Sequence, residues 1–518
     1  MEADSVGGLN YKAELNSASF ARLMAETRLE KRLYSFFESY KRKLRLDSPT
    51  DQKAATGLQE HRMTNEDEAS DKKCLVSLEK FTDKRGTSSI PLACFNFINS
   101  IIGSGIIGLP YSMNQAGLPL GIALLVIVAL ISDYSIILLI KGGNLSGAWS
   151  YQSLVQNTFG FIGYLILSVL QFLYPFIAMI SYNIITGDML TKVFQKVPGV
   201  GPDHLFAERH FVIFLTTILF ALPLCLYRDV SKLGKVSLVS MIFTIMIMSV
   251  VVIRAATLGL EIPPVENAWS FAHWNAIQAI GVMSSGFICH HNSFMIYNSL
   301  KEPTLSTWSR VTHISVSSAA LISLLFATAG YATFTGYTQG DIFENYCRSD
   351  DLATFGRFCF GISIITTFPL ECFVTREVVS NVFFHGVLSN VAHVVVTVVI
   401  IAVSTVISLT YDCLGIVLEL NGVLCATPLI FVIPSACYLK LSNNRWFQGE
   451  NFVCCILLLV GVCVMVIGLA MTVLYPQDCS HGAEMFYCIS NVSALNATPS
   501  STISVPEVFS VSPNATNF

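Results

Sequence analysis

The chain has 518 residues, of which 53% are hydrophobic and 13% are charged, and its formal net charge is −4. Soluble globular proteins carry about a quarter charged residues, so this composition excludes an ordinary soluble domain. The apolar residues are concentrated in runs of about twenty, the length that crosses the hydrocarbon core of a bilayer. We therefore predict a polytopic membrane protein whose surroundings are a lipid bilayer, and no nucleic-acid partner.

Residues 1–89 are polar and precede the first apolar run, which predicts a cytoplasmic N-terminal tail without a cleavable signal peptide. Within this tail, residues 19–46 place apolar side chains at helical spacing among Lys and Arg. That pattern is typical of an amphipathic helix lying on the inner leaflet, and a mostly solvated tail is the alternative. Residues 47–73 are polar and rich in charge, which predicts disorder.

Eleven apolar segments follow the tail, and we number them spans one to eleven. Their approximate cores are residues 90–112, 118–140, 160–184, 211–227, 236–255, 275–298, 311–334, 354–375, 387–411, 414–438 and 452–474. Residues 475–518 form a last tail that is rich in Ser, Thr and Asn. The predicted fold class is therefore an all-α polytopic membrane protein with eleven transmembrane helices.

The distribution of charge predicts the orientation of these spans. With the N-terminus in the cytoplasm, the inner loops hold nine basic residues and the outer loops hold six, as the positive-inside rule requires. Eleven spans then place the C-terminal tail outside, where the sequons at Asn491, Asn496 and Asn514 predict a glycoprotein. A fourth sequon, at Asn144, lies on the cytoplasmic side in this arrangement and should be unused.

Span one and span six each carry poor helix formers at mid-membrane depth. Span one contains "FINSIIGSGIIGLPYS" at residues 97–112, and span six contains "GVMSSGFICHHNSFMIYNSL" at residues 281–300. In lipid, a non-helical backbone is tolerated only where it is buried in protein or lines a cavity. A single Gly-rich span would favour close helix packing as the explanation.

Two interrupted spans at matching positions favour a different explanation, a transporter built from inverted repeats. Here the repeats would be residues 90–255 and 275–438, followed by an eleventh helix at 452–474. The free amides of a half-helix N-terminus bind a carboxylate, and the free carbonyls of a half-helix C-terminus bind an ammonium group or Na⁺. The two breaks therefore suit a zwitterion such as an amino acid.

The motif "FNFINSIIGSGIIGLPYSMNQAG" at residues 95–117 resembles the first span of the sodium-coupled neutral amino acid transporters. "GFICHH" in span six, "FPLECFVTREV" at 368–378 and "ELNGVLCATPLIFVIPSACYLKL" in span ten are similar to the same family. The resemblance covers about residues 88–475 and is closest to the less characterised branch of the family. It implies the LeuT-like fold of the amino acid/auxin permease group, with a 5+5 inverted repeat and broken helices one and six.

For the substrate, the resemblance implies that the unwound segment Gly103, Ser104 and Gly105 receives the carboxylate. It implies that carbonyls near Phe287 and Ile288 face the amino group. Asn96 is a further substrate-binding candidate, and a hydrogen bond between helices is its alternative explanation.

For the co-transported Na⁺, the resemblance implies backbone oxygens of Asn99 and Ile102, the carbonyl of Ser363 and the hydroxyls of Thr366 and Thr367. Na⁺ is a hard cation that prefers oxygen ligands, and positions 363, 366 and 367 lie on one face of a helix. The alternative is that both threonines only bond back to carbonyls of their own helix. No other metal and no organic cofactor is expected.

Several ionisable residues lie within the spans, where such groups are candidates for function. His290 and His291 are adjacent in span six, and histidine titrates near neutral pH, so either could make transport sensitive to pH. A structural hydrogen bond to a neighbouring helix is the alternative for this pair. Glu371 is predicted to serve as a structural partner of the backbone or Arg376 rather than as a proton carrier, and Glu419 and His393 are further ionisable groups.

The chain departs from the family pattern at its outer surface. The loop at residues 254–274 is short and lacks the cysteine that the resemblance would pair with Cys347. Cys479 and Cys488 in the outer tail are therefore predicted to pair with each other, because exoplasmic cysteines commonly form disulfides.

The sequence thus predicts a symporter of neutral amino acids and Na⁺ that works by alternating access, in the plasma membrane rather than an endolysosomal one. The alternatives are a proton-coupled or exchange carrier, or an amino acid sensor that signals through its N-terminal tail. An enzyme is not expected, because the sequence contains no nucleophile–base constellation and no metal motif.

Overall fold

The computed structural model describes residues 88–201, 203–228, 234–384, 386–442, 445, 448–476 and 484–488, and these residues are almost entirely helical. The α-helices are α1 (Ile90–Ile101), α2 (Leu109–Ala116), α3 (Leu118–Ser146), α4 (Tyr151–Phe194), α5 (Arg209–Thr216), α6 (Leu222–Cys225), α7 (Gly234–Leu258), α8 (Ala276–Phe287), α9 (His290–Ser299), α10 (Leu305–Phe334), α11 (Asp351–Phe383), α12 (Asn390–Thr410), α13 (Leu414–Asn421), α14 (Ile433–Leu441) and α15 (Glu450–Leu474). Within these described ranges, the one strand-like pairing is an isolated bridge between Ser88 and Leu300.

Eight of the described helical segments are long and apolar enough to cross a membrane. Span one adds a ninth if α1 and α2, which are bent by 53° relative to each other, form one interrupted crossing. The fourth predicted span is a shorter apolar segment, Arg209–Cys225, and the halves of span six, α8 and α9, have 12 and 10 residues. The all-helical membrane architecture is confirmed, whereas the count of eleven spans stays a prediction.

The helices carry exposed apolar side chains on their outer faces, and they bury small polar side chains together with an apolar core. On α12, Val391, Val395 and Val399 are exposed, whereas Thr397 and Ser404 are fully buried. In lipid the exposed valines meet acyl chains, and helices associate through small residues and hydrogen-bonding hydroxyls. The same sequence pattern would not be stable in water.

Two long helices, α4 and α11, pack against each other along much of their length. Ser150 begins α4 with a capping box, because its hydroxyl accepts from the Ser153 amide at 3.0 Å while the Ser153 hydroxyl accepts from the Ser150 amide. Gly160, with φ of 68°, breaks α4 near its start. The long remainder of the helix presents Tyr174 and Tyr182 beside span six and α11.

The predicted disulfide between Cys479 and Cys488 is wrong. The structure pairs Cys488 with Cys347, with their Cα atoms 5.4 Å apart. The reason is that residues 486–488 dock on the loop between α10 and α11, where the Tyr487 hydroxyl donates to the Asn345 carbonyl at 2.5 Å. Cys347 therefore does have a partner, and Cys413 at the start of α13 is disulfide-bonded as well.

Several predictions fall on residues outside the described ranges, namely the tail helix at 19–46, the disordered stretch at 47–73, Cys479 and the glycosylation sites Asn491, Asn496 and Asn514. These stay predictions.

Candidate functional site

The backbone leaves the helical conformation at Ile102 and Gly103, directly after α1. Ile102 has φ −80° and ψ 77°, and Gly103 has φ −109° and ψ −151°. The Gly103 amide bonds to the Ile101 carbonyl at 2.9 Å, so the Asn99 carbonyl loses the partner that a continuing helix would supply. A 3₁₀ turn then begins at Ser104, and the first amides of such a turn have no earlier carbonyl to bind.

A second break separates α8 from α9 in span six. Ile288 is extended, with φ −77° and ψ 119°, and Cys289 has φ −140° and ψ 11°. The last carbonyls of α8 therefore lack the amides of a following turn, and the Phe287 carbonyl accepts instead from the Cys289 thiol at 3.7 Å. The side chains of Phe287 and Ile288 are buried in the core.

The two breaks lie directly against each other through glycine backbone. A Cβ atom on Gly105 would lie 2.8 Å from the Cα of Gly286 and 3.2 Å from the Ser285 carbonyl oxygen. Only a residue without a side chain permits this approach. The Asn292 amide also donates to the Ser100 hydroxyl at 2.7 Å and so joins α9 to α1. The segment that contains Gly105 thus lies against the last turn of α8, which ends at Phe287.

Asn96 is exposed on α1 and lies outside the linings of both cavities described below. Asn99 is half-buried and lines the larger cavity. The assignment of Asn96 to the substrate has no contact in the described structure to support it and stays a prediction.

A small cavity of about 10 Å³ lies beside the first break. Its volume holds about one water-sized particle, which is also the scale of a single dehydrated ion. Its lining residues come from the break, α7, α10 and α11, and are Ile102, Gly103, Ile106, Ser240, Thr244, Ile247, Phe326, Phe360, Ser363, Ile364 and Thr367. Three of the residues predicted for Na⁺, namely Ile102, Ser363 and Thr367, therefore meet around one cavity.

The hydroxyls of Thr366 and Thr367 both bond back to their own helix. Thr366 donates to the Ser363 carbonyl at 2.8 Å, and Thr367 shares its proton between the carbonyls of Ser363 and Ile364 at 3.0 and 3.1 Å. This back-bonding uses the proton of Thr367 and leaves the lone pairs of its oxygen for a cation. Thr366 is absent from the lining of the small cavity.

Sequence reasoning missed Ser240, which completes the wall of this cavity from α7. Its hydroxyl lies 2.8 Å from the Ser363 hydroxyl, and both side chains are buried. The two residues are 123 positions apart in the chain, so no local spacing could have indicated the pair.

A larger cavity of about 250 Å³ lies between α1, α7 and α10. It is lined by Ile98, Asn99, Ile102, Met241, Thr244, Ile245, Met248, Ser249, Ile322 and Leu325. Ile102 and Thr244 line both cavities, so they form the wall between them.

His290 and His291 occupy different environments at the start of α9. His290 is fully buried, and its Nε2 lies 3.1 Å from the hydroxyl of Ser135, which itself donates to the Ile430 carbonyl. His290 is therefore a hydrogen-bond donor between helices, as the structural alternative required. The ring of His291 lies 5.8 Å from the ring of Tyr174, and the Nδ1 atoms of both histidines have no protein partner among the described residues.

Glu371 does not pair with Arg376, so that part of the prediction is wrong. The guanidinium of Arg376 instead donates to the carbonyls of Cys225 and Tyr227 at 2.6 and 3.2 Å, and to the Thr397 hydroxyl at 3.0 Å. Glu371 accepts a hydrogen bond from the Tyr182 hydroxyl at 3.4 Å. His393 lies with its Nε2 atom 3.1 Å from the carbonyl of Leu226 and so helps to fix α12.

Comparison with known proteins gives this geometry a context. The family described as "Transmembrane amino acid transporter protein" matches residues 86–474. The chain is 68% identical over 435 residues to a Danio rerio protein named "Putative sodium-coupled neutral amino acid transporter 11", covering 84% of this chain and 97% of that protein. A Homo sapiens protein of the same name is 61% identical over 391 residues, covering 76% of this chain and 96% of that protein.

Among solved structures, the crystal structure of a mutant of the Eremococcus coleocola manganese transporter superposes with a TM-score of 0.50. It is 14% identical and covers 80% of this chain and 95% of that chain, so the likeness concerns the fold alone. The predicted LeuT-like, all-helical fold class is confirmed. The family match spans both broken helices and the small cavity, and the chain is a member of the transmembrane amino acid transporter protein family.

Proposed function

We propose that this protein is a secondary active symporter that carries a neutral amino acid together with Na⁺. The observation that carries the proposal is the meeting of two broken helices at Gly105 and Gly286, next to an ion-sized cavity lined by Ile102, Ser240 and Thr367. The relatives are named as sodium-coupled neutral amino acid transporters, which supports the same pair of substrates.

The geometry of the first break suits the binding of the amino acid and of the ion by different backbone groups. Amides at the start of the 3₁₀ turn suit the carboxylate of the amino acid, because a helix N-terminus carries partial positive charge. The carbonyls at the end of α8 suit the ammonium group. The Asn99 carbonyl, freed at the break, and the Thr367 hydroxyl, which lines the small cavity beside Gly103, suit Na⁺, so the ion and the substrate would order the same backbone segment.

Alternating access follows from the same arrangement. The ion and the substrate together supply the missing partners of the backbone at both breaks, so they stabilise the conformation in which α1, α2, α8 and α9 are held together. Release of either would free these segments to move against the remaining helices. Coupling then arises because each ligand binds best to the conformation that the other favours.

The disulfide between Cys347 and Cys488 supports the predicted orientation. Disulfides persist on the oxidising side of a membrane, so the loop between α10 and α11 and the segment 484–488 would face the cell exterior or an organelle lumen. The plasma membrane is the proposed location. Glycosidase digestion of the protein from cells tests the orientation, since glycans on the C-terminal tail require it to be exoplasmic.

The central experiment is uptake of a labelled panel of neutral amino acids into cells or proteoliposomes. Na⁺ is replaced by choline, and the external pH is varied from about 5.5 to about 8.5, the range that brackets histidine titration. We expect uptake that depends on Na⁺. Undiminished uptake in choline would exclude sodium coupling and favour the proton-coupled or exchange alternative, and no uptake of any amino acid would contradict the proposal as a whole.

A further inference from the structure

Glu419 on α13 is a fully buried carboxyl group where α13 meets α2, α8 and α15. Its Oε1 atom accepts a hydrogen bond from the Tyr111 hydroxyl at 3.0 Å and another from the side-chain amide of Gln115. Its Oε2 atom accepts from the side-chain amide of Gln278 at 3.3 Å. Thr472 on α15 borders the same carboxyl group.

No basic side chain pairs with Glu419 in the part of the chain that the structure describes. Of the elements packed against it, α2 and α8 contain no charged residue, and the titratable groups beside the carboxyl are Tyr111 and Tyr411. The ionisable residues Asp188 and Lys192 of α4 pair with Arg209 and Glu344. The surroundings therefore offer neutral donors and no counter-charge.

The two glutamines allow this site to satisfy either charge state of Glu419. As an ionised group, the carboxylate accepts the three hydrogen bonds that the structure contains. As a protonated group, it has one proton to donate, and the Oε1 atoms of Gln115 and Gln278 are buried acceptors that have no partner among the described residues. Rotation of one amide by half a turn would present such an oxygen to the proton.

The position of this cluster connects it to both broken helices. Tyr111 and Gln115 lie on α2, which follows the first break, and Gln278 lies on α8, which precedes the second. Any movement that opens α2 or α8 away from α13 removes donors from Glu419 and admits water to it. Water stabilises an ionised carboxylate far better than a desolvated site without a cation does.

We propose that Glu419 is a proton-binding site whose occupancy is coupled to the separation of α2 and α8 from α13. The closed cluster retains the proton on the carboxyl group, and opening releases that proton to water. The inference rests on the proposed transport function and adds a proton to its conformational cycle. Because the closed state binds the proton more tightly than the open state does, lowering the pH favours the closed state.

Thiol labelling of the variant N114C tests this inference without any substrate. The Asn114 amide donates to the carbonyls of Gly336 and Thr338 at 3.2 and 3.3 Å, so a thiol at this position reports when α2 leaves the loop after α10. Purified full-length protein in lipid nanodiscs would be labelled with a membrane-impermeant maleimide across about pH 5.5 to 7.5, with the rate corrected for the pH dependence of a model thiol. Protein without N114C gives the background of native cysteines.

We expect the corrected labelling rate of N114C to rise with pH. The total rise is at most about tenfold for each pH unit by which the pKa of Glu419 differs between the two conformations. Adding E419Q, which cannot ionise, should abolish this dependence, whereas E302Q on an exposed loop should preserve it. A pH dependence that survives E419Q, or its absence from N114C itself, would overturn the inference.

If E419Q does not yield folded protein, E419D provides the second test, because it keeps a titratable group in altered geometry. The midpoint of the pH dependence should then shift, and an unchanged midpoint would count against the inference. These outcomes are separate from the proposed function, which is tested by amino acid uptake and its dependence on Na⁺, whatever the labelling shows.

Discussion

Replacement of Gly105 by alanine tests the central feature of the site, the contact between the two broken helices. The added Cβ would lie 2.8 Å from the Cα of Gly286, 3.2 Å from its amide nitrogen and 3.2 Å from the Ser285 carbonyl oxygen. Two carbon atoms at their optimal separation are about 3.5–4.0 Å apart. The breaks would therefore have to move apart by roughly 1 Å, and all three obstructing atoms belong to backbone rather than to a flexible side chain.

Overpacking of this kind costs about 1–3 kcal/mol. We expect G105A to lower the midpoint of thermal unfolding by a few degrees, measured on purified protein in detergent, and to reduce amino acid uptake. The matched control is G103A, because a Cβ on Gly103 meets no atom within 4 Å and its φ of −109° suits alanine. The reasoning would be refuted if G105A were as stable as the parent protein or if G103A were equally destabilised.

Three further predictions concern the ion cavity, the disulfide and a buried acid. T367A removes a hydroxyl that lines the small cavity and should raise the Na⁺ concentration for half-maximal uptake about tenfold or more. The control T375A removes a hydroxyl that bonds back to the Glu371 carbonyl at 2.8 Å and should leave that Na⁺ concentration unchanged. Equal effects of the two variants would remove Thr367 from the ion site. C347S removes the disulfide that links residues 484–488 to the loop after α10 and should make that segment susceptible to limited proteolysis. The control C359S changes a buried free cysteine and should not. Burial raises the pKa of Asp341 in that loop well above its usual range, and the nearby carboxylate of Glu344 raises it further. The folded state therefore holds the proton of Asp341 more tightly than the unfolded state does. Thermal stability should fall as the pH rises above about 4, the pKa of a solvated Asp. D341N should flatten that fall, and an unaltered pH profile would contradict this account.

The break in span one could be predicted from local chemistry. Gly103, Ser104 and Gly105 are poor helix formers in a medium where an unpaired amide is costly, so their presence at mid-span indicates an interruption that has a use. The break lies where the residues predict it, and the Asn99 carbonyl is freed there. Helical periodicity likewise sufficed to place Ser363 and Thr367 on one face of α11.

Periodicity could not decide which of the neighbouring hydroxyls faces the ion cavity. Thr366 and Thr367 are adjacent and chemically identical, and only the packing of α11 against α7, beside the first break, places Thr367 in the lining and leaves Thr366 out. Packing likewise decided the partners of Arg376, which lie on two other helices rather than at Glu371, five residues earlier on α11.

The sequence by itself determined that this chain is a helical membrane protein with two interrupted spans, because hydropathy and the cost of broken helices in lipid act locally along the chain. The tertiary structure alone decided that Ser240 faces Ser363, that Cys347 pairs with Cys488, and that Glu419 ties α2 and α8 to α13. These contacts join residues more than a hundred positions apart. They depend on how the helices pack, and no spacing within a single segment encodes that packing.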